Sequence, residues 1–318
     1  MQVAEGEHNS TVSRDGPETK GHRRRIFGAA SSSESPMSLD PNAIDHAALA
    51  QGLLRPVLNA GAVEMHHYVA GVAVESKSDN SPVTAADREA EAILIAGLSA
   101  IAPEIPVIAE EAVAEGRIPA VGRAFFLVDP LDGTREFIHK RGEFTVNVAL
   151  VVDGAPRFGV VYAPAIGELY LTLGPQRCGF ARIQPDSSAR TLAECGIRDV
   201  TTREPSAATL AAVASRSHLT PETEAFLARY PVKDRRDAGS SLKFCLLARG
   251  EADLYPRLGP TMEWDIAAGH AVLKAAGGDA IDLDGKPVTY GRTAEGYRSP
   301  HFVAFGRRSV LNMAAPKP

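Results

Sequence analysis

The run Phe125-Phe-Leu-Val128, followed at once by Asp129-Pro-Leu-Asp132-Gly-Thr134, limits the fold more than any other stretch of this chain. Four consecutive apolar residues predict a buried strand. The strand ends at Asp129, where two carboxylates three residues apart share one turn. Pro130 fixes one torsion of that turn and Gly133 frees another. Such a turn can aim both carboxylates and the Leu131 carbonyl at one point. Hard oxygen ligands in that arrangement suit Mg²⁺. The amides of Gly133 and Thr134 then open a helix or turn, which makes a ready phosphate site. Taken alone, the segment could also be a loop with an Asx-turn and a helix cap.

The flanking sequence predicts what this strand packs against. Ile44, Leu49, Leu53, Leu54, Val57, Leu58 and Val63 recur at helical spacing and predict a helix over 43–72. A polar loop follows, from Glu75 to Pro82. A second helix is expected over Ala85–Ile101, stopped by Pro103. Short strands are expected at 106–109, 125–128, 144–152, 158–162 and 169–173, with Asp153-Gly154 marking a hairpin. After about residue 185 strand and helix alternate: strands at 211–215 and 252–255, helices at 221–229, 240–249 and 266–276, the last closed by Gly277-Gly278. The expected organisation is a disordered tail over 1–36, an N-terminal α+β metal-binding half over 40–190 and a C-terminal α/β half over 191–318. The tail is rich in Ser, Glu, Gly and Arg and has almost no apolar periodicity. Its Arg23, Arg24 and Arg25 read as solvated, and Met37 is a candidate biological start.

Three further acidic sites stand at the mouths of elements. Glu110-Glu111 follows the strand Val107 to Ala109, Asp265 precedes the helix from Ile266, and Asp87 begins the second helix. Each has a bland alternative, a surface loop for the Glu pair and a helix cap for Asp265 and Asp87. Four such sites in one chain make a stronger pattern. The composition of 34 basic and 39 acidic residues gives a formal charge of −5, so nothing draws the whole chain to nucleic acid or an anionic membrane. An anionic substrate must be captured by local charges or metal ions. Cys178, Cys195 and Cys245 form no CxxC pair or zinc spacing and read as buried free thiols. No apolar run is long enough for a transmembrane helix, and no secretory h-region opens the chain.

Together, Asp129-Pro-Leu-Asp-Gly-Thr134 and Trp264-Asp-Ile-Ala-Ala-Gly269 resemble the two signatures of the lithium-sensitive, metal-dependent inositol monophosphatase superfamily. Within it the chain is most similar to the 3′(2′),5′-bisphosphate nucleotidases. The stretches that point there are Lys77 to Asp87, Arg135-Glu-Phe137, Gly142 to Asn147, Ser215-Arg-Ser-His218, Gly239-Ser-Ser-Leu-Lys243 and Tyr255 to Asp265. Arg135 stands where this branch often has Lys, and Ala109 where Ser commonly precedes the Glu pair.

The resemblance implies a layered α-β-α-β-α sandwich, α+β in its first half and α/β in its second, with the site between the halves. It implies that Glu110, Asp129, Asp132, Asp265 and the Leu131 carbonyl hold two or three Mg²⁺ ions. Gly133 and Thr134 would bind the scissile phosphate, and Asp87 with the Thr134 hydroxyl would orient the attacking water, assisted near Glu110. Ser240, Lys243, Arg257 and His218 would contact the nucleotide. The implied reaction removes the 3′-phosphate of adenosine 3′,5′-bisphosphate, giving AMP and phosphate, with the 5′-phosphosulfate analogue as a second candidate substrate in sulfur metabolism. Inhibition by Li⁺ and Ca²⁺ is also implied. The enzyme is expected to be cytoplasmic, with peripheral attachment at the inner membrane as an alternative, and a monomer or homodimer. Two other readings stay open: an inositol-phosphate or sugar-phosphate phosphatase of the same superfamily, and a non-catalytic module that binds a nucleotide or metal.

Overall fold

The computed structural model describes residues 40–41, 43–71, 75–76, 82–215 and 219–315. The 1–36 tail, Met37, His218 and the Lys77 to Ser81 part of the lysine-to-aspartate stretch lie outside these residues.

The apolar spacing of the first segment forms α1 (His46–Ala70), whose N-terminus is capped by Asp45 accepting the Ala48 N–H at 2.9 Å. Within the expected polar loop, β1 (Glu75–Ser76) and β2 (Pro82–Val83) pair antiparallel. The next helix, α2 (Ala85–Ile101), has the bounds the sequence predicts and ends before Pro103.

A seven-stranded sheet follows in chain order. It consists of β3 (Val107–Ala109), β4 (Ala124–Asp132), β5 (Thr145–Val152), β6 (Ala155–Ala163), β7 (Glu168–Gly174), β8 (Arg177–Arg182) and β9 (Arg198–Val200). The β3–β4 pair is parallel and all later neighbours are antiparallel. Two short helices sit at its upper end, α3 (Glu110–Ala114) after β3 and α4 (Thr134–Ile138) after β4. The β5–β6 hairpin turns at Asp153 (φ 50°) and Gly154 (φ 72°), the paired positive torsions of a type I′ turn.

The second sheet has five strands in the order β11-β10-β12-β14-β13. The chain supplies β10 (Ala211–Ser215), α5 (Pro221–Leu227), β11 (Asp234–Ala238), α6 (Leu242–Ala248), β12 (Leu254–Arg257), α7 (Trp264–Ala275), β13 (Asp279–Asp282) and β14 (Phe302–Phe305). β10 pairs parallel with β11 and β12, and β14 pairs antiparallel with β12 and β13.

Strand alternation decides which core each side chain joins. Ala124, Phe126 and Val128 of β4 pack under α1 and α2, whereas Phe125 and Leu127 face the opposite way, toward α6 and α7. In the second sheet Ala211, Val213, Tyr255, Phe302 and Ala304 face α6 and α7. Leu210, Ala212, Leu254, Val303 and Phe305 pack on the far side with Leu227 of α5. The architecture is therefore α-β-α-β-α, with α6 and α7 as the shared middle layer. Close approach of that layer requires a small residue on β6. A Cβ on Gly159 would stand 2.4 Å from the Ala268 carbonyl oxygen.

The strand expected at 252–255 begins two residues later, at Leu254. Ala252 is buried but lies in the turn after α6, and the Asp253 side chain fixes that turn by accepting the Ala211 N–H at 2.8 Å. All three cysteines are buried free thiols. Among the described residues no helix is long and apolar enough to cross a membrane.

Candidate active site

The C-terminal end of β4 departs from regular pairing where the acidic turn begins. Asp129 pairs with Asn147 and Asp132 with Thr145, so three steps on β4 face two on β5. This bulge takes up Pro130, which cannot donate to a regular ladder. The Asp129 carboxylate accepts the Leu131 N–H at 3.0 Å and tightens the turn. Gly133 then adopts φ 94°, and a Cβ there would lie 3.0 Å from the Glu143 carbonyl oxygen. The left-handed torsion and the close backbone both require glycine.

Three of the anticipated carboxylates converge. One carboxylate oxygen from each of Glu110, Asp129 and Asp265 lies within 4.8 Å of the others. Glu110 arrives as the first residue of α3, directly after β3, and Asp265 from the first turn of α7. Asp265 is not the cap of α7; Glu263 occupies that position. Both hydrogen bonds to Asp265 fall on one oxygen, from the Thr261 hydroxyl at 2.7 Å and the Met262 N–H at 2.9 Å. Its other oxygen is left to the cluster. Asp132 turns to the side: its Oδ2 accepts from Ser240 Oγ at 2.7 Å and Asn147 Nδ2 at 3.3 Å.

Burial without enough countercharge raises the carboxyl pKa of Asp132 and Asp265. Asp265 adds to the shift at Asp132, and Glu110 adds to the shift at Asp265. Hard oxygen donors that repel one another at this range fit a divalent cation such as Mg²⁺.

Asp87 performs two tasks. Its Oδ2 closes a capping box at the start of α2, accepting the Thr84 N–H at 2.8 Å and the Thr84 hydroxyl at 2.7 Å. Its Oδ1 accepts the Thr134 hydroxyl at 3.4 Å. The cap and the link to Thr134 are therefore compatible roles for one carboxylate. The Leu131 carbonyl also lies 3.4 Å from the Thr134 hydroxyl.

A cavity of about 240 Å³ opens over these groups. Its lining includes Glu110, Asp129, Leu131, Asp132, Gly133, Thr134, Ser240, Lys243, Arg257 and Asp265. Ser240 sits between β11 and α6 with φ 55°, a left-handed torsion that costs a serine about 1–3 kcal/mol. The torsion is held by the Ser240 hydroxyl, which donates to Asp132 and is also hydrogen-bonded to the Thr145 hydroxyl. Lys243 is 5% exposed and bonds through Nζ to the carbonyl of Ser240 at 2.5 Å. Burial lowers its pKa to about 8, against the opposing pull of Asp132. Arg257 is 8% exposed and donates from Nη2 to the Pro260 carbonyl at 2.6 Å.

Several residues that carried no individual role in the sequence reading, though they lie in the stretches Gly142 to Asn147 and Tyr255 to Asp265, share this site. Thr145 and Asn147 tie β5 to Asp132 and Ser240, and Thr261 holds Asp265. Glu143 accepts the Gly239 N–H at 3.0 Å and so ties the two walls together. Polar residues on a strand otherwise filled by Val, Ala and Leu were the available signal for Thr145 and Asn147.

The family model for inositol monophosphatases matches residues 46–303. The chain belongs to the inositol monophosphatase family. That family is metal-dependent, and the Glu110–Asp129–Asp265 cluster could bind a metal. The chain is 44% identical over 232 residues to the 3′(2′),5′-bisphosphate nucleotidase CysQ of Shigella flexneri, covering 72% of this chain and 87% of that protein. It is 43% identical to CysQ of Escherichia coli K12 over 233 residues, with the same coverage of both chains. Among solved structures, CysQ from Bacteroides thetaiotaomicron superposes with a TM-score of 0.69 at 36% identity, covering 82% of this chain and 98% of that one. An inositol monophosphatase from Thermotoga maritima gives a TM-score of 0.62 at 26% identity, covering 79% and 89%.

Proposed function

We propose that this chain is a Mg²⁺-dependent 3′(2′),5′-bisphosphate nucleotidase. It removes the 3′-phosphate of adenosine 3′,5′-bisphosphate to give AMP and phosphate, and takes the 5′-phosphosulfate analogue as a second substrate. The observation that carries this reading is the composition of the cavity over the acidic turn. A carboxylate cluster fit for cations lies beside Lys243 and Arg257, which suit a second anion. The similarity to CysQ proteins supports the same choice.

Glu110, Asp129, Asp132, Asp265 and the Leu131 carbonyl would hold two or three Mg²⁺ ions. Bound there, the metal supplies charge neutralisation for phosphate and lowers the pKa of water. The amides of Gly133 and Thr134 would receive the scissile phosphate as its charge redistributes. With the Thr134 hydroxyl proton directed to Asp87 Oδ1, the hydroxyl oxygen would be free to accept from, and so orient, the attacking water. No cysteine or histidine nucleophile is needed. Ser240, Lys243 and Arg257 would contact the nucleotide, together with His218, which lies outside the described residues. This reading makes the protein a cytoplasmic monomer or homodimer that acts on a small molecule and not on nucleic acid.

Product analysis tests the proposal. Chromatography of a reaction on adenosine 3′,5′-bisphosphate with Mg²⁺ should show AMP and phosphate in equal amounts. Adenosine 3′-phosphate as the product would mean that the other phosphate leaves. No turnover, alongside hydrolysis of inositol 1-phosphate, would favour the inositol-phosphate reading.

A further inference from the structure

Among the described residues three cationic side chains line the cavity, and they differ in what already holds them. Lys243 is buried and bonded to the carbonyls of Ala238 and Ser240. Arg257 is buried and bonded to the Pro260 carbonyl. Arg135 is exposed, and among the described residues its guanidinium makes no hydrogen bond or ion pair; only its backbone carbonyl is engaged, accepting from His139 Nδ1 at 2.7 Å. Of the three it is the cation with all its donors available.

Its position adds to this. Arg135 follows Thr134 directly, in the first turn of α4. The backbone before it is fixed by the left-handed torsion of Gly133 and by the Phe137 N–H, which bonds to the Gly133 carbonyl at 2.9 Å. The next residue, Glu136, is buried, so the two side chains diverge: Glu136 inward, Arg135 outward at the rim. The cavity floor carries the carboxylates, so a ligand anion near the rim is repelled by the floor unless a cation meets it. A guanidinium suits that task because its planar fork takes two phosphate oxygens at once.

We propose that Arg135 is a specificity-determining residue that binds the second, non-scissile anionic group of the substrate from the rim of the cavity that Lys243 and Arg257 also line. The proposal rests on the bisphosphate reading above and adds a residue to it. Arg135 thereby ranks substrates with two anionic groups above simple monoesters, and its effect lies in affinity.

The test compares Arg135→Gln and Arg135→Lys with the native chain. An exposed position keeps both variants folded, which thermal melting checks. The first readout is kcat/KM for adenosine 3′,5′-bisphosphate divided by kcat/KM for adenosine 3′-monophosphate. That ratio should fall roughly tenfold in Arg135→Gln, through KM, the loss expected for one charge-assisted contact. Arg135→Lys should fall between. The second readout is calorimetric affinity for AMP, which carries only the non-scissile phosphate and should bind roughly tenfold more weakly to Arg135→Gln. An equal loss on both nucleotides would assign Arg135 to the scissile phosphate and overturn the proposal, as would no loss on either. If the native chain did not hydrolyse the bisphosphate, the functional reading would fail, while the AMP titration would still decide whether Arg135 meets an anion.

Discussion

Replacing Asp265 by Asn should make the metal-free protein more stable while removing its response to Mg²⁺. The geometry explains the sign. Both hydrogen bonds to Asp265 reach the same oxygen, so an amide can keep them with its carbonyl. Its NH₂ then points at Glu110 and Asp129 as a donor, where a carboxylate repelled them. Two like charges within 4.8 Å of each other repel by at least about 3 kcal/mol at an effective dielectric near 20. The pKa leads to a similar size. Burial and Glu110 raise the Asp265 carboxyl from 3.8 to about 6, and each unit is worth about 1.4 kcal/mol. Between about pH 4 and pH 6 the folded metal-free chain keeps a proton that the unfolded chain has released. Folded stability therefore falls as pH rises through that window, and the whole cost is present above it. At pH 7.5 in EDTA, Asp265→Asn should gain about 2–3 kcal/mol, or roughly 3–5 °C in melting temperature. At pH 4 the gain should largely vanish. Saturating Mg²⁺ should raise the native chain by about 2.7 kcal/mol at a hundredfold excess over Kd, and should move the variant little. A variant that melts at or below the native chain in EDTA, or keeps the full Mg²⁺ shift, would refute the reasoning.

Gly133→Ala should cost about 1–2 kcal/mol through its left-handed torsion and lower kcat at least tenfold, measured by melting and by phosphate release. Gly159→Ala should cost about 3 kcal/mol in urea unfolding, because its Cβ meets the α7 backbone. Lys243 is pulled down to about 8 by burial, so it is protonated below that pH and loses its charge above it. KM for the bisphosphate should rise as pH passes about 8, and Lys243→Met should flatten that limb of the pH–KM profile.

Much of this architecture was readable from local pattern. The 3.6-residue spacing of Leu53, Val57 and Leu58 marked α1, and Pro103 marked the end of α2. Asp153-Gly154 marked the β5–β6 hairpin. What escaped detection was set by tertiary context. β11 reads Asp-Arg-Arg-Asp-Ala, with four exposed residues at the sheet edge, so no apolar alternation announces it. α3 and α4 are five residues each, too short for a periodic signal. β4 continues through Pro130 because a bulge takes up the misfit, which a propensity argument would have ended at Val128. The acidic turn identified Asp129 and Asp132 as a pair. Their different orientations depend on Ser240 and Asn147, contributed by distant parts of the chain.

The most direct test is phosphate release from adenosine 3′,5′-bisphosphate and from inositol 1-phosphate, with Mg²⁺ and with EDTA, for the native chain and Asp129→Asn. The account predicts rapid release from the nucleotide, slower release from the inositol phosphate, and loss of both in EDTA and in the variant. Undiminished hydrolysis by well-folded Asp129→Asn, or by the native chain in EDTA, would contradict it.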